Sequence, residues 1–245
     1  MDTLKNWFEW VHSAEGTAMP AVPPGGVSAV DEDGRCALHW CAAERKPERM
    51  EILLCMDGAD VGVRDAELWT PLMCAASAGS ARCCELLVGK VDGDERLALV
   101  RAVNANKCTA LHYACSKGRI DVMKILIENG ASVNAKDKYG NTPMHRAAGF
   151  VVEEGGVSPI QVLLDSAKSK VARDAMIDGK NGVGETPLHV AIQGRTVGAA
   201  LCLIRNGCDL FAEDRDGKTA AQYATDAVYN ELKPVVQARL AREGK

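Results

Sequence analysis

The chain has 245 residues, of which 47% are hydrophobic and 25% charged, proportions ordinary for a folded globular protein. They exclude a wholly disordered chain, a collagen-like fibre and a coiled coil, and no apolar run approaches the ~18 residues of a membrane helix. The net charge of −4 is unevenly spread: residues 1–103 hold 10 basic and 17 acidic side chains, and residues 104–245 hold 19 and 16. A bipolar chain without a dominant basic face argues against nucleic-acid binding.

The start, Met1-Asp2-Thr3-Leu4-Lys5, lacks the basic region of a signal peptide, and Glu9 and His12 interrupt the apolar residues behind it. Leu4, Trp7, Phe8 and Val11 follow helical spacing and predict a capping half-repeat. Ala21-Val22-Pro23-Pro24-Gly25-Gly26 then reads as an exposed connection. Beyond it one phrase recurs: Cys36-Ala37-Leu38-His39, Thr70-Pro71-Leu72-Met73, Thr109-Ala110-Leu111-His112, Thr142-Pro143-Met144-His145, Thr186-Pro187-Leu188-His189 and a degraded Thr219-Ala220-Ala221-Gln222. Successive third residues are 34, 39, 33, 44 and 33 apart. A 33-residue period carrying Thr-Pro-Leu-His is the ankyrin signature.

Each part of the phrase has a physical role. Thr caps a helix N-terminus, and Pro at the first helical position gives up an N–H that has no partner there. Gly79 and Gly118 suit a left-handed residue that ends the first helix. Apolar pairs such as Leu53-Leu54, Leu86-Leu87 and Ile125-Leu126 mark a second helix. Gly58, Gly130 and Gly207 then open the turn toward the next hairpin. No such unit buries its apolar side alone, so neighbours must stack.

The pattern predicts an all-α ankyrin-repeat solenoid of about six to seven helix-turn-helix repeats, with short hairpin turns and capping ends. One domain spans 1–245: a cap and linker over 1–30, repeats over 31–64, 65–104, 105–137, 138–180 and 181–214, and a capping repeat over 215–245. The long steps place insertions around Val91–Val103 and between Phe150 and Lys180, where Val152-Glu153-Glu154-Gly155-Gly156 and Ser166–Lys170 read as loop expansions. Residues 220–243 read as a capping helix pair interrupted near Pro234.

Ten cysteines lie among apolar residues in helical stretches with no CxxC pair, which points to packing in a reducing compartment. Four of the five histidines occupy the recurring phrase, where the imidazole makes structural hydrogen bonds, and His12 alone lies outside it. Gly155-Gly156 lacks the Lys-Ser/Thr of a P-loop, and Gly182-Val183-Gly184 opens into Thr-Pro rather than a dinucleotide motif. No catalytic constellation, cofactor or metal is expected.

Arg35-Cys36-Ala37-Leu38-His39-Trp40 resembles the gankyrin family, ankyrin chaperones of proteasome regulatory-particle assembly. Similar phrases continue through Trp69-Thr70-Pro71-Leu72, Ala75-Ala76-Ser77-Ala78-Gly79, Leu111-His112-Tyr113-Ala114-Cys115-Ser116-Lys117, Ala135-Lys136-Asp137-Lys138-Tyr139 and Met144-His145-Arg146-Ala147-Ala148. The Leu-x-Cys-x-Glu motif of some gankyrins is absent, and the nearest string, Leu53–Asp57, ends in Asp. The resemblance implies a cytoplasmic and nuclear chaperone that holds the C-terminal domain of one AAA-ATPase subunit of the proteasome base; a capped solenoid has no required self-interface, so a monomer is expected when free. Neither nucleic acid nor membrane is an expected partner. In an ankyrin stack the hairpin tips and first helices line the concave face. Register places Asp31, Asp33, Arg35, Trp40, Asp65, Glu67 and Trp69 there in the acidic half. Lys107, Tyr113, Lys117, Lys136, Lys138, Tyr139 and Arg146 fall there in the basic half. A second reading is a signalling adaptor that holds a kinase or transcription regulator on the same face, and a third, a small-molecule enzyme, would need a deep polar pocket.

Overall fold

The computed structural model describes residues 2–13, 16–151 and 158–243, which contain α-helices, one 3-10 helix and no β-strand. They form two compact units, Met1–Tyr113 with Lys124–Ala131, and Ala114–Met123 with Ser132–Lys245. The first holds α1 (Asp2–His12), α2 (Ala37–Ala43), α3 (Pro47–Leu54), α4 (Pro71–Ala78), α5 (Ala81–Gly89) and α6 (Gly93–Arg101). Helices α7 (Ala110–Ser116) and α8 (Ile120–Glu128) contribute residues to both units. The second holds α9 (Pro143–Ala148), α10 (Pro159–Asp165), α11 (Lys170–Ile177), α12 (Pro187–Gln193), α13 (Val197–Arg205), the 3-10 turn Ala220–Tyr223 and α14 (Asp226–Glu243).

A helix forms over Asp2–His12, where Leu4 and Phe8 of the predicted face are half-buried and Trp10, outside it, is buried. Trp7, Trp10 and Val11 are buried on one side of α1, and burying each such side chain contributes about 1.5–3 kcal/mol. Two cations from the first repeat fasten the helix end. Lys46 Nζ donates to the Val11 carbonyl at 2.7 Å, and the Arg49 guanidinium lies 4.6 Å from the Trp10 ring centroid.

Thr70, Thr142 and Thr186 stand in extended conformation before Pro71, Pro143 and Pro187, each in the first turn of its helix. The Thr70 hydroxyl accepts the Met73 N–H, a helix cap. Where histidine stands three residues after the threonine, the ring adds a reciprocal bond, accepting the N–H of the cap residue itself. His145 Nδ1 accepts the Thr142 N–H at 3.2 Å and lies 2.9 Å from its hydroxyl, and Nε2 meets the Glu185 carbonyl at 3.0 Å. His39 joins Cys36 to the Trp69 carbonyl, and His189 joins Thr186 to the Lys218 carbonyl, in the same way. An N–H facing one ring nitrogen and a carbonyl facing the other are both satisfied by the neutral ring protonated at Nε2. Each histidine therefore ties its helix to the hairpin of the next repeat. In the repeat that α14 follows in place of a hairpin, Gln222 Oε1 accepts the Thr219 N–H and the helix shrinks to a single 3-10 turn.

The insertion around Val91–Val103 holds a helix: Gly93–Arg101 forms α6, with Asp94 and Glu95 in its first turn, Arg101 in its last, and Leu99 and Val100 buried. Two expectations need correction. Ser166–Lys170 is a short turn leading into α11, whose start is capped by the Ser169 hydroxyl accepting the Ala172 N–H, and Met176 and Ile177 are buried. Pro234 does not interrupt the capping helix, for α14 runs through it to Glu243. Pro234 and Asn230 are both exposed, so water can meet the carbonyl that loses its helical N–H. The expected loop expansion at Val152–Gly156 lies outside the described residues.

Two predictions follow from these buried groups. Burial holds His39 and His145 below the ordinary histidine pKa, against a smaller opposing pull from the Trp69 and Glu185 carbonyls. As pH falls below about 6.5 the unfolded chain takes up these protons first, so stability is full above that pH and is lost below it. The urea midpoint should be lower at pH 5 than at pH 7.5. His145→Ala should cost about 2–3 kcal/mol at neutral pH and flatten part of this dependence; an equal slope in the variant contradicts the assignment.

The cysteines supply the second. Cys36, Cys41, Cys74, Cys83, Cys84, Cys108, Cys115 and Cys208 are buried, and burial pushes the thiols of Cys41, Cys74, Cys84 and Cys208 up to about 12. Only Cys55 is exposed, with Cys202 half-buried. A thiol reagent should therefore find one fast-reacting cysteine in the folded protein and all ten after unfolding.

Candidate protein-binding surface

Each hairpin is headed by Asp or Asn: Asp31, Asp65, Asn104, Asp137, Asn181 and Asp214. In all six, Oδ1 accepts the backbone N–H groups two and four residues later, at 2.8–3.1 Å. The tip is thereby folded on its own side chain, and consecutive tips are joined by backbone hydrogen bonds. Ala66 N–H donates to the Asp33 carbonyl and Ala105 N–H to that of Glu67 in the first unit. Gly182 N–H donates to the Tyr139 carbonyl and Arg215 N–H to that of Val183 in the second.

The remaining polar atom of the heading residue selects a side chain nine positions on, in the first helix of the pair. Trp40 Nε1 donates to Asp31 Oδ2 at 2.8 Å, Asn104 Nδ2 donates to the Tyr113 hydroxyl at 2.7 Å, and the Arg146 guanidinium meets Asp137 Oδ2. Asp214 Oδ2 accepts from the Tyr223 hydroxyl. Asp65 uses another partner, Arg35 Nε of the preceding hairpin at 3.2 Å. Trp40, Tyr113 and Arg146 are thus positioned by the hairpins they face.

In the first unit these anchors assemble an aromatic and cationic surface. The Arg35 guanidinium lies 5.2 Å from the Trp40 ring centroid, and His12 meets the same ring edge-on at 5.0 Å. Trp69 stacks against Tyr113 with centroids 4.3 Å apart and planes inclined by 34°. Asp33, Glu67 and Lys107 are exposed around these rings, and Asp31 and Arg35 are half-buried. Asp65, in contrast, is 5% exposed with both oxygens engaged, so it orients Arg35 and Trp69 from beneath.

In the second unit Lys117, Lys136 and Lys138 are exposed, and Tyr139 projects from its tip at 64% exposure. Lys136 Nζ reaches the Lys180 carbonyl at 3.2 Å. Arg146 is half-buried and committed to Asp137. Burial pushes the Asp137 carboxyl up, but Arg146 and the backbone N–H groups of Asn141 and Tyr139 outweigh it and hold the group below the usual carboxylate range.

Sequence reasoning missed His12, which contacts Trp40 and pairs with Glu44, and Val183, 54% exposed on the tip beside Tyr139. His12 had a signal in lying outside the recurring phrase, whereas Val183 had none. Among the described residues no group of three or more His, Cys, Asp or Glu is placed to hold a metal, and no helix is long and apolar enough to cross a membrane. A cavity of about 370 Å³ beneath α14 is lined mainly by apolar side chains, among them Leu188, Ile192, Leu232 and Val236.

Ankyrin-repeat family models match residues 38–137 and 96–174 (Ankyrin repeats, 3 copies) and 173–224 (Ankyrin repeats, many copies). A Saccharomyces cerevisiae protein described as "Probable 26S proteasome regulatory subunit p28" is 32% identical over 79% of this chain and 80% of its own length. The Gallus gallus nuclear factor NF-kappa-B p105 subunit is also 32% identical, but over 48% of this chain and 11% of its own. Among solved structures, the ankyrin repeat domain of Bcl-3 aligns over 84% of this chain and 86% of that one, with TM-score 0.67 and 23% identity, a likeness of fold. The helix pairs, the heading Asp or Asn and the match with the yeast subunit over about four-fifths of both chains converge: the chain is an ankyrin-repeat protein and belongs to the gankyrin family.

Proposed function

We propose that this chain is a non-catalytic chaperone of the 26S proteasome regulatory particle, which holds the C-terminal domain of one AAA-ATPase subunit of the base. The observation that carries the reading is the match to the yeast regulatory subunit over 79% of this chain and 80% of that one. The similarity to the p105 subunit, by contrast, covers a repeat segment that is a small part of a much larger protein. A chaperone of this kind acts by occupying space beside the ATPase domain until the assembled particle displaces it, in cytoplasm and nucleus. It needs a stable surface and no reactive centre.

The surface chemistry supports a protein partner. Trp40 and Trp69 are half-buried aromatics held from behind by Asp31 and by Tyr113, the kind of rigid anchor on which binding energy concentrates. Asp33 and Glu67 offer carboxylates in the first unit, and Lys117, Lys136 and Lys138 offer ammonium groups in the second. A complementary ATPase domain carries cations for the former and carboxylates for the latter, an arrangement that sets orientation and association rate more than affinity.

Calorimetry of the purified protein with the isolated C-terminal domain of each base ATPase, at two salt concentrations, tests the reading. Tight, salt-sensitive binding to one domain alone is expected. Trp69→Ala should weaken it about tenfold or more, as expected of a hot-spot residue. Charge reversal belongs at Lys117 and Lys138, which should also reduce the salt dependence; at Arg146 it would set two carboxylates together and break the hairpin. Binding to none of the domains would leave the adaptor reading in its place.

A further inference from the structure

In every hairpin the third residue after the heading Asp or Asn is left-handed: Gly34, Leu68, Lys107, Gly140, Gly184 and Gly217, with φ between 57° and 84°. Four of the six are glycine, and two separate physical reasons favour it. Side chains beyond glycine rarely adopt this conformation, and a bulky one such as leucine least of all. The next hairpin also comes close: a Cβ on Gly34 would lie 3.1 Å from the Ala66 nitrogen, and one on Gly184 would lie 2.8 Å from that of Arg215. Gly217, whose repeat α14 follows in place of a hairpin, would meet nothing within 4 Å.

Leu68 and Lys107 break this pattern on two consecutive tips. Neither side chain repays the fold. Leu68 is 43% exposed, and Lys107 is exposed with no ion-pair partner among the described residues. Both stand on the two tips that carry or hold the aromatic pair of the first unit. Leu68 directly precedes Trp69, and the tip carrying Lys107 is joined to the tip carrying Leu68 by the hydrogen bond from Ala105 to Glu67. The same tip holds Tyr113 through Asn104. Strained non-glycine positions gather where a side chain is needed for contact rather than for folding.

We infer that Leu68 and Lys107 are specificity-determining contacts of the partner surface, Leu68 extending the apolar patch of Trp69 and Lys107 receiving a carboxylate beside it. The partner segment that fits presents an apolar side chain next to an acidic one. The inference rests on the proposed ATPase-domain reading and names two residues of that same surface.

Leu68→Gly, Lys107→Gly and the double variant test it, measured for melting temperature and for affinity to the ATPase domain that the unaltered chain binds. Each single change should raise Tm by about 2–4 °C, the shift typical of a modest stabilisation in a chain this long. The double variant should bind at least tenfold more weakly, and Lys107→Gly should reduce the salt dependence. Leu68→Asn with Lys107→Asn separates lost side chains from added flexibility, since asparagine tolerates the left-handed region; it should lose affinity equally. A double variant that binds as tightly as the unaltered chain overturns the inference and leaves the ATPase reading intact. A fall in Tm overturns it too, because the side chains would then serve the fold. If the unaltered chain binds no base ATPase domain, the underlying reading fails and the inference falls with it.

Discussion

Backbone N–H groups at the hairpin tips and helix starts have no partner within regular secondary structure, and a side-chain acceptor in each repeat takes them. The Oδ1 atom of the heading Asp or Asn accepts two, and imidazole Nδ1 accepts another where the repeat carries histidine. Leaving such a group buried and unpaired would cost about 1–3 kcal/mol. Apolar stacking supplies most of the stabilisation of repeat arrays but is indifferent to small slips of one layer on another. The imidazole Nε2, aimed at one carbonyl of the following hairpin, removes that freedom. Where the repeat carries such a histidine, a neutral ring fixes register with the following hairpin alongside the backbone bonds between tips.

The proposed binding surface inherits its geometry from this arrangement. Because the second polar atom of the heading residue holds a side chain nine positions on, the same bond that closes a tip also fixes Trp40, Tyr113 or Arg146. A surface built in this way is rigid before it meets a partner, which lowers the entropic cost of binding. It also sorts the charges. Asp31, Asp65 and Arg146 are committed to hydrogen bonds within the fold, whereas Asp33, Glu67, Lys117 and Lys138 are exposed. Net charge along the sequence thus overstates what the surface offers.

The repeat was legible because Thr-Pro-Leu-His carries two physical signals at once, a helix start and a buried ring, and recurs with steps of 33 or 34 residues wherever no insertion intervenes. The heading residue was harder to see. It alternates between Asp and Asn, and nothing in Asp65 or Asp137 distinguishes a buried acceptor from a solvated acid until the chain is folded. Leu68 and Lys107 carried no local signal either, since their conformation is imposed by a turn whose other members use glycine. The capping helix failed for a different reason: proline disfavours a helix interior, but where its lost bond faces water the neighbouring turns hold it.

The two insertions show most clearly what spacing can and cannot reveal. Their excess lengths differ, yet each contains a helix anchored at the same distance from the following hairpin. Leu99 and Val100 precede Asn104 as Met176 and Ile177 precede Asn181, and all four are buried. Each inserted helix also serves the end of the next second helix in its own unit. Arg101 Nε donates to the Gly130 carbonyl after α8, where a Cβ on Gly130 would lie 2.6 Å from Leu97. The Arg173 guanidinium meets Asn206 after α13, and Asp178 Oδ1 accepts the Asp209 N–H just beyond. Helix ends leave carbonyls without intrahelical partners; Arg101 brings a donor to the carbonyl just past α8, whereas α11 holds the segment after α13 through the Asn206 side chain and the Asp209 N–H. Their contacts fall on these helix ends, which makes them braces between successive repeats of a unit rather than loops that read a partner. The difference in length is taken up before α10, between Ala148 and Pro159, where the first insertion has only two residues, Gly79 and Ser80, at the equivalent turn.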